Sequence, residues 1–487
     1  MAKVFTWDTG NSVGEMVGHN KRVLSVSYKP SRPFRIMTAS EDMRTIFYAG
    51  PPFKLDHSNP THSNFVNCVR YAPSGEKIVS VGSDRKVQLY DGKTGEPAEN
   101  IESAHEGSIY SVYFSPDSAK FVTSSADKTV KQWDVATLTC EQTYSATEGP
   151  AQLGDMQISV LWTPQQLLSV SLNGNINYFN SSSQTPVRVV QGHQVAITAM
   201  AVDREQGVLY SGSFDGVLCA TPLATGITSR IVGPDPKNMS GASHNGNVVG
   251  LAVLGGSVAS VGWDDTMRVT DIATKTCSGA PVVLTGQPTC VATHAGKGIM
   301  LVSTNAEVAV YANGQKVGCL SNMTYKATCI DIVSSGDEVA VGGDDNKTHI
   351  YAFNDNVFTE VTTIETRSAV SAVAYSPAGD ALAIGDAGRQ VEVYERGTWE
   401  ARVKGRWVFH TSRVTCLSWC PSGAYLASGS LDENIFIWNC AKPTTKIQLQ
   451  FAHVAGVTGV GWLNDTKLVS VGNDHCIVTW NIPPAEA

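Results

Sequence analysis

The 487 residues of this chain carry a net charge of −8, with 16% charged and 42% hydrophobic residues. This balance excludes a long disordered protein and is typical of a strand-rich globular fold whose tight turns use glycine. An acidic chain with no Lys/Arg cluster also argues against nucleic acid as a partner. No apolar run approaches the roughly 20 residues of a membrane span, and no secretory signal follows Met1, so we expect no membrane partner.

The 11 cysteines are scattered along the chain without a CxxC pair. Most lie in strand-like runs, as Cys68, Cys329 and Cys416 do. This pattern predicts reduced cysteines that fill a protein core, and a cytoplasmic location.

A unit of 43 residues recurs in the first part of the chain. Residues 1–10 predict the last inner strand of a sheet whose earlier strands are absent. Complete units then start at His19, His62 and His105, each 43 residues after the one before. A repeat of this length is typical of the four-stranded blades of β-propellers.

The third unit shows the pattern most clearly. Residues 109–114 alternate between two faces, as a strand requires, and a Ser-Pro-Asp turn follows them. Asp127 lies six residues before Trp133, so its carboxylate is expected to hold His105 and the backbone amides of a tight turn. We predict a structural hydrogen-bond network of His105, Ser125, Asp127 and Trp133. This arrangement resembles the WD repeat.

The remaining units follow in order. A fourth, at residues 159–180, lacks its histidine, and the polar stretch 181–186 is the predicted linker. Seven more units come after the linker, and the last two begin at His410 and His453, again 43 residues apart.

Eleven blades exceed the usual four to eight around one axis, so we predict an all-β fold of two tandem WD-repeat propellers. Residues 1–185 form an incomplete propeller of about four blades plus one strand, from a truncated isoform or a fragmentary gene model. Residues 186–487 form a complete seven-bladed propeller. Its ring is expected to close by pairing of the strand at 186–191 with the blade that ends at Trp480.

The recurring His, Ser and Asp residues do not predict an enzyme. A catalytic triad needs one copy with an exposed nucleophile, whereas these residues recur blade after blade. The run Gly92-Lys93-Thr94 lacks the earlier glycine and the following helix of a phosphate loop. Asp264-Asp265 and Asp344-Asp345 have no converging ligands, so no metal or cofactor is expected.

The loop at residues 49–64 is not explained by the repeat. It carries Phe53 and Leu55 between stiffening prolines, with Phe65 just beyond. Apolar side chains on a rigid surface loop are typical of a protein-binding site, and the alternative is that Phe53 packs beneath its own loop. Glu41 is a spare carboxylate, because the aspartate that follows it takes the structural position.

Segments in order along nearly the whole chain resemble the actin-interacting protein 1 family, also called WD repeat-containing protein 1. They include KPSRPF, FYAGPPFK, FVNCVRYAPSG, YDGKTGE, SADKTVKQWDVAT, LLSVSLNGNINY and WLNDTKLVSVGNDHCIVTWN. The resemblance implies fourteen blades in two propellers, of which about three are missing here. It also implies a monomer that binds actin filaments and ADF/cofilin in actin-rich structures and promotes severing and disassembly of cofilin-decorated filaments.

Carried over to this chain, the family's binding surface falls on Glu41, where the family tends to have Asp, and on Phe65. At Leu55 the family pattern has an aromatic, so apolar area is kept and the flat ring is lost. A generic WD-repeat scaffold that assembles other proteins is the alternative function.

Overall fold

The computed structural model describes residues 2–146, 151, 153–180, 182–231, 233, 243–274 and 276–484. The chain divides into two compact units, residues 1–191 and residues 192–487. Within the described residues the helical segments are two 3-10 turns, η1 (Leu153–Asp155) and η2 (Ala295–Lys297), and the rest of the regular structure is β-strand. None of the helices in this part of the chain has the length and apolar character needed to cross a membrane.

The described residues of the first unit form one two-stranded sheet followed by four four-stranded antiparallel sheets, so the single strand predicted at the start is a pair of strands. Grouped by sheet, the strands are β1 (Ala2–Phe5) and β2 (Ser12–Met16); β3 (Val23–Tyr28), β4 (Arg35–Ser40), β5 (Thr45–Ala49) and β6 (Lys54–Asn59); β7 (Val66–Tyr71), β8 (Lys77–Gly82), β9 (Val87–Asp91) and β10 (Pro97–Ile101); β11 (Ile109–Phe114), β12 (Lys120–Ser125), β13 (Thr129–Asp134) and β14 (Cys140–Ser145); and β15 (Gln157–Trp162), β16 (Leu167–Ser171), β17 (Ile176–Phe179) and β18 (Arg188–Val190).

In the part of the second unit that the structure describes, there are six four-stranded sheets and a final three-stranded sheet. Its strands are β19 (Ile197–Asp203), β20 (Val208–Ser213), β21 (Leu218–Pro222) and β22 (Ser229–Ile231); β23 (Val248–Leu254), β24 (Ser257–Gly262), β25 (Thr266–Asp271) and β26 (Thr276–Val283); β27 (Pro288–His294), β28 (Ile299–Thr304), β29 (Val308–Ala312) and β30 (Gln315–Leu320); β31 (Ala327–Ile332), β32 (Glu338–Gly343), β33 (Lys347–Asn354) and β34 (Val357–Glu365); β35 (Val370–Tyr375), β36 (Ala381–Asp386), β37 (Val391–Glu395) and β38 (Ala401–Trp407); β39 (Val414–Trp419), β40 (Tyr425–Ser430), β41 (Ile435–Asn439) and β42 (Lys446–Leu449); and β43 (Val457–Asn464), β44 (Lys467–Gly472) and β45 (Ile477–Asn481).

The hydrophobic cores lie between neighbouring sheets. On β11 a register shift between Ile109 and Ser111 leaves Val112 and Phe114 on the face that packs against the preceding sheet. There they meet buried residues of β8 such as Val79. Each sheet therefore depends on its neighbour for burial of its apolar face, as the repeat predicts.

Two surfaces of the first unit expose apolar side chains in the described residues, although β1 and β2 cover β4 and β5 of the first four-stranded sheet. Val26 and Tyr28 on β3 are exposed, although β7 buries the corresponding residues between sheets. Leu161 on β15 and Ile176 on β17 are exposed on the last sheet of the unit. These open faces agree with an incomplete propeller.

The predicted closure of the second unit by residues 186–191 is wrong. β18 pairs antiparallel with β17, so these residues complete the fourth full sheet of the first unit, and the division falls after Gln191. The short connection from β17 favours this local pairing because a short loop costs less entropy to close. The predicted linker lies in that same connection, although Ser181 is outside the described residues.

The second unit nevertheless closes as a seven-sheet ring, because its first and last sheets pack on each other. Ile197 of β19 and Val471 of β44 share one buried cluster. Arg204 donates a hydrogen bond from Nε to the carbonyl of Trp462 at 3.0 Å. The second unit thus has the seven blades predicted for it, and side-chain packing and hydrogen bonds join its first and last sheets.

Candidate protein-binding site

The structural network of the third repeat forms around a hydroxyl that the sequence analysis did not single out. His105 Nδ1 lies 2.8 Å from Asp127 Oδ2, and its Nε2 lies 2.7 Å from Thr123 Oγ1. Trp133 donates from Nε1 to the same Thr123 oxygen at 2.9 Å. Ser125 plays a smaller part, since its hydroxyl accepts the Asp127 N–H at 3.1 Å. The predicted residues come together, with Thr123 as the link between histidine and tryptophan.

The charges of this network suit a structural role. Burial favours the neutral form of Asp127, but hydrogen bonds from His105 and Thr129 outweigh burial and hold the pKa of the carboxyl well below its usual range. Burial lowers the pKa of His105 despite the carboxylate beside it. The pair is therefore a neutral imidazole that is fixed by an ionised carboxylate.

The same contact recurs along the chain. Histidine and aspartate lie 2.8–3.0 Å apart in the pairs His19–Asp42, His62–Asp84, His244–Asp264, His410–Asp432 and His453–Asp474. Because each copy occupies the equivalent position of its own sheet, the network is a feature of the repeat.

Metal-ligating side chains and cysteines are dispersed in the described residues. No group of three or more His, Cys, Asp or Glu side chains there is arranged to hold a metal ion. All 11 cysteines are free, and burial raises the pKa of Cys329 to about 12, which keeps it a thiol. Cys140, Cys319 and Cys476 are exposed and so differ from the predicted core role.

The loop that connects β2 to β3, residues 17–22, contacts two of the predicted surface side chains. Gly18 lies so close to Leu55 that a Cβ on the glycine would be 2.5 Å from the leucine Cδ1. Lys21 Nζ lies 5.8 Å from the ring centroid of Phe65, within reach of a cation–π contact. Leu55 is 45% exposed and Phe65 40% exposed, so both remain open to a partner.

The same connecting loop also holds Glu41. The Glu41 N–H donates to the carbonyl of Arg22 at 3.0 Å, and the Arg22 guanidinium lies 3.9 Å from the Glu41 carboxylate. Asp42 takes the structural position, as predicted, and accepts the N–H of Asn20 at 3.0 Å. The connecting loop thus gathers Glu41, Leu55 and Phe65 into one neighbourhood.

Phe53 is not displayed on the surface. Its side chain is 7% exposed and packs in a buried cluster with Tyr48. Its ring also meets Tyr28 edge-on at a centroid distance of 6.0 Å. The alternative in which Phe53 packs beneath its own loop is the one observed, because the adjacent sheet offers an apolar cover. We do not include Phe53 in the proposed binding surface.

The two cations of the connecting loop, Lys21 and Arg22, were not predicted as part of the site. A signal for Arg22 was present, because it lies 43 residues before Phe65 and so occupies the same repeat position. Arg22 and Phe65 each directly precede the first strand of a sheet. The carbonyl of each accepts an N–H from the turn between the second and third strands of that sheet. The 43-residue offset thus identifies both as surface positions.

Comparison with known proteins agrees with this architecture. The family description "WD domain, G-beta repeat" matches residues 53–91, 98–134, 184–219 and 403–439. The chain is 38% identical to the 66 kDa stress protein of Physarum polycephalum, over 98% of this chain and 78% of that protein. It is 36% identical to actin-interacting protein 1 of Caenorhabditis elegans, over 99% of this chain and 79% of that protein. This chain belongs to the actin-interacting protein 1 family.

Membership of the actin-interacting protein 1 family covers both units. WD repeat-containing protein 1-B of Xenopus laevis is 35% identical over 98% of this chain and 78% of that protein. The matched stretch therefore spans nearly all of both units. The name of the Caenorhabditis elegans relative describes a protein that interacts with actin.

Proposed function

We propose that this chain binds actin filaments and cooperates with ADF/cofilin to promote their severing and disassembly. The observation that carries the proposal is its 36% identity, over nearly its full length, to a relative named for its interaction with actin. The exposed Leu55 and Phe65 beside the Glu41–Arg22 pair support a protein-binding surface on the first unit. Apolar anchors with a polar rim are typical of binding hot spots.

The proposed mechanism is a shift of population and needs no covalent chemistry. A surface that fits the cofilin-twisted filament better than the bare filament stabilises the twisted state by the difference in binding free energy. The twisted filament then breaks more readily. On this proposal the chain is a monomeric binding protein of the cytoplasm and actin cytoskeleton, without enzyme activity, cofactor, nucleic-acid partner or membrane partner.

The test is the double variant Glu41→Ala, Phe65→Ala in filament co-sedimentation and in microscopy of severing, with and without cofilin. We expect a folded variant that no longer enhances severing in the presence of cofilin. The matched control is Glu205→Ala, Phe451→Ala, which removes an exposed carboxylate and an exposed ring from the second unit. Unchanged severing by the first variant would remove Glu41 and Phe65 from the mechanism.

A second candidate function is a WD-repeat scaffold that assembles other proteins. It is favoured by the exposed rings of Phe214 and Trp263, which meet edge-on at a centroid distance of 5.9 Å on the second unit. An exposed aromatic pair is typical of a protein contact. A wild-type chain that fails to sediment with filaments, whether or not cofilin coats them, would favour this function.

A further inference from the structure

The first strands of the seven sheets in the second unit surround a channel. A cavity of about 290 Å³ in this channel is lined by residues of all seven strands, β19, β23, β27, β31, β35, β39 and β43. A second cavity, of about 410 Å³, adjoins it at the C-terminal ends of the strands and shares Val291, Ile330 and Leu417 with it. We call this second cavity the channel-end cavity. Its size suits a small organic ligand, since volumes of roughly 300 to 1,000 Å³ are typical of such sites.

Two side chains of opposite charge line the channel-end cavity, and they are the only charged ones in its described lining. Arg204 directly follows β19 of the first sheet, and Asp331 lies on β31 of the fourth sheet. Because the first and fourth of seven sheets lie on opposite sides of a ring, the two charges lie on opposite walls. Within the described residues neither side chain forms an ion pair, since the hydrogen-bond partners of both are backbone groups.

Arg204 is held in place by two backbone carbonyls. Its Nε donates to the carbonyl of Trp462 at 3.0 Å, and its Nη2 donates to the carbonyl of Trp419 at 3.4 Å. Burial lowers the pKa of Arg204, but a guanidinium stays protonated in proteins. Asp465 offsets part of this charge from beyond ion-pair distance, while its carboxylate accepts the N–H of Ser422 at 2.9 Å. Within the described residues Nη1 of Arg204 makes no hydrogen bond, so it can donate to a ligand.

Asp331 is an anion with no cation beside it among the described residues. Its two carboxylate oxygens accept the N–H groups of Tyr375 at 2.7 Å and of Ile332 at 2.9 Å. Burial raises the pKa of Asp331 to about 6, so the carboxyl is mostly ionised at pH 7. An unpaired charge that is removed from water costs free energy, and an opposite charge in the cavity would recover part of that cost.

We propose that the channel-end cavity binds a small amino acid whose carboxylate and ammonium groups lie at opposite ends of the molecule. The carboxylate accepts hydrogen bonds from the guanidinium of Arg204, and the ammonium donates to the carboxylate of Asp331. Ala252 and Val291 line the cavity from the two sheets between these charges and supply apolar contacts for a methylene chain. A ligand with only one charge would leave the opposite wall uncompensated.

The test is calorimetric titration of the full chain with three zwitterions of different length, δ-aminovalerate, ε-aminocaproate and ω-aminocaprylate. The control ligands are the carboxylate and the amine of the same length, which carry one charge each; for ε-aminocaproate they are caproate and hexylammonium. We expect saturable binding of at least one zwitterion, at least tenfold tighter than either of its controls, because each control lacks one charge-assisted hydrogen bond.

Three variants of the chain locate the two charges of the ligand. In Asp331→Asn the zwitterion should bind no more tightly than its carboxylate control, and in Arg204→Gln no more tightly than its amine control. Asp265→Asn removes an exposed carboxylate from the turn between β24 and β25, outside the cavity, and should bind like wild type. Since each comparison is between two ligands on one variant, a partial loss of folded protein cannot imitate the result.

Three outcomes would overturn the proposal. They are no saturable binding of any zwitterion to wild type, binding of a singly charged control as tight as that of its zwitterion, and an undiminished preference for the zwitterion in Asp331→Asn. Actin is absent from this experiment, so its result is independent of the proposed function.

Discussion

The hydroxyl of Thr458 donates a hydrogen bond to the carbonyl of Ile197 at 2.5 Å, between residues 261 positions apart in the chain. Neighbouring first strands elsewhere in the second unit are joined by the same bond at 2.6 Å, in the pairs Thr198–Val248, Thr328–Val370, Ser371–Val414 and Thr415–Val457. The last sheet therefore meets the first through the same contact that joins four other pairs of neighbouring sheets.

Removal of this hydroxyl should weaken the ring. We expect Thr458→Val to lower the free energy of unfolding of the second unit by about 1–3 kcal/mol, because the Ile197 carbonyl loses its side-chain donor. Urea denaturation followed by tryptophan fluorescence measures the change. Thr458→Ser keeps the hydroxyl and should recover most of the loss, while Thr359→Val on an exposed strand should have little effect. Equal midpoints for Thr458→Val and wild type would show that packing alone closes the ring.

Among the residues of the repeat network, replacement of Asp127 should cause the largest loss of stability. Asp127→Ala leaves His105 and the N–H groups of Glu106 and Thr129 without their acceptor, so we expect a loss of about 3 kcal/mol from the first unit. Limited proteolysis and thermal melting measure this loss. The control is the exposed side chain of Glu106, whose replacement by Ala should be neutral. An Asp127 variant as resistant to protease as wild type would contradict the structural role.

Acid should destabilise the second unit through His193. Burial lowers the pKa of His193 from 6.5 to about 4, although Asp215 opposes the shift. Between these two pH values the unfolded chain binds more protons than the folded chain, so the free energy of unfolding falls as the pH falls. The contribution of His193, about 3 kcal/mol, is complete above pH 6.5 and lost by pH 4.

Comparison of variants isolates this effect from other titrating groups. His193→Gln should lose less stability than wild type between pH 7 and pH 4.5, as measured by urea midpoints. If the urea midpoints of wild type and His193→Gln changed in parallel with pH, His193 would have the same pKa in the folded and unfolded chains.

Gly18 should control the position of Leu55. Its φ of +129° disfavours other residues, and a Cβ would lie 2.5 Å from Leu55 Cδ1. We expect Gly18→Ala to displace Leu55 and weaken filament binding as much as Leu55→Ala does, measured by co-sedimentation with cofilin-coated filaments. Gly10→Ala is the matched control, because Gly10 also has positive φ but no atom within 4 Å of the added carbon. If Gly18→Ala and Gly10→Ala bound filaments equally well, Leu55 would not be part of the binding surface.

The repeat could be predicted because its spacing is a local property of the chain. The interval from His105 to Asp127 and Trp133 fixes a turn and two strands, and the structure shows the expected contacts. Thr123 was missed because it lies two residues before Ser125 on the same strand, and spacing alone does not say which hydroxyl reaches the histidine.

The closure of the ring and the place of Phe53 could not be predicted for a different reason. Each depends on which of two apolar neighbours is closer in space. Residues 188–190 pair with β17, which is nearer along the chain than the last sheet of the second unit. Phe53 packs with Tyr48 beneath its own loop. Only the arrangement of whole sheets decides between such neighbours.

The closed ring of the second unit, joined by Thr and Ser hydroxyl bonds, affects how the two units unfold. A closed array of repeats has no terminal member, so every sheet of the second unit is held on both sides and none can fray first. Within the described residues of the first unit, its first and last sheets each have a neighbour on one side only, so the sheets of this unit can open one after another. The second unit should thus unfold in a single step, and the first unit should unfold sheet by sheet.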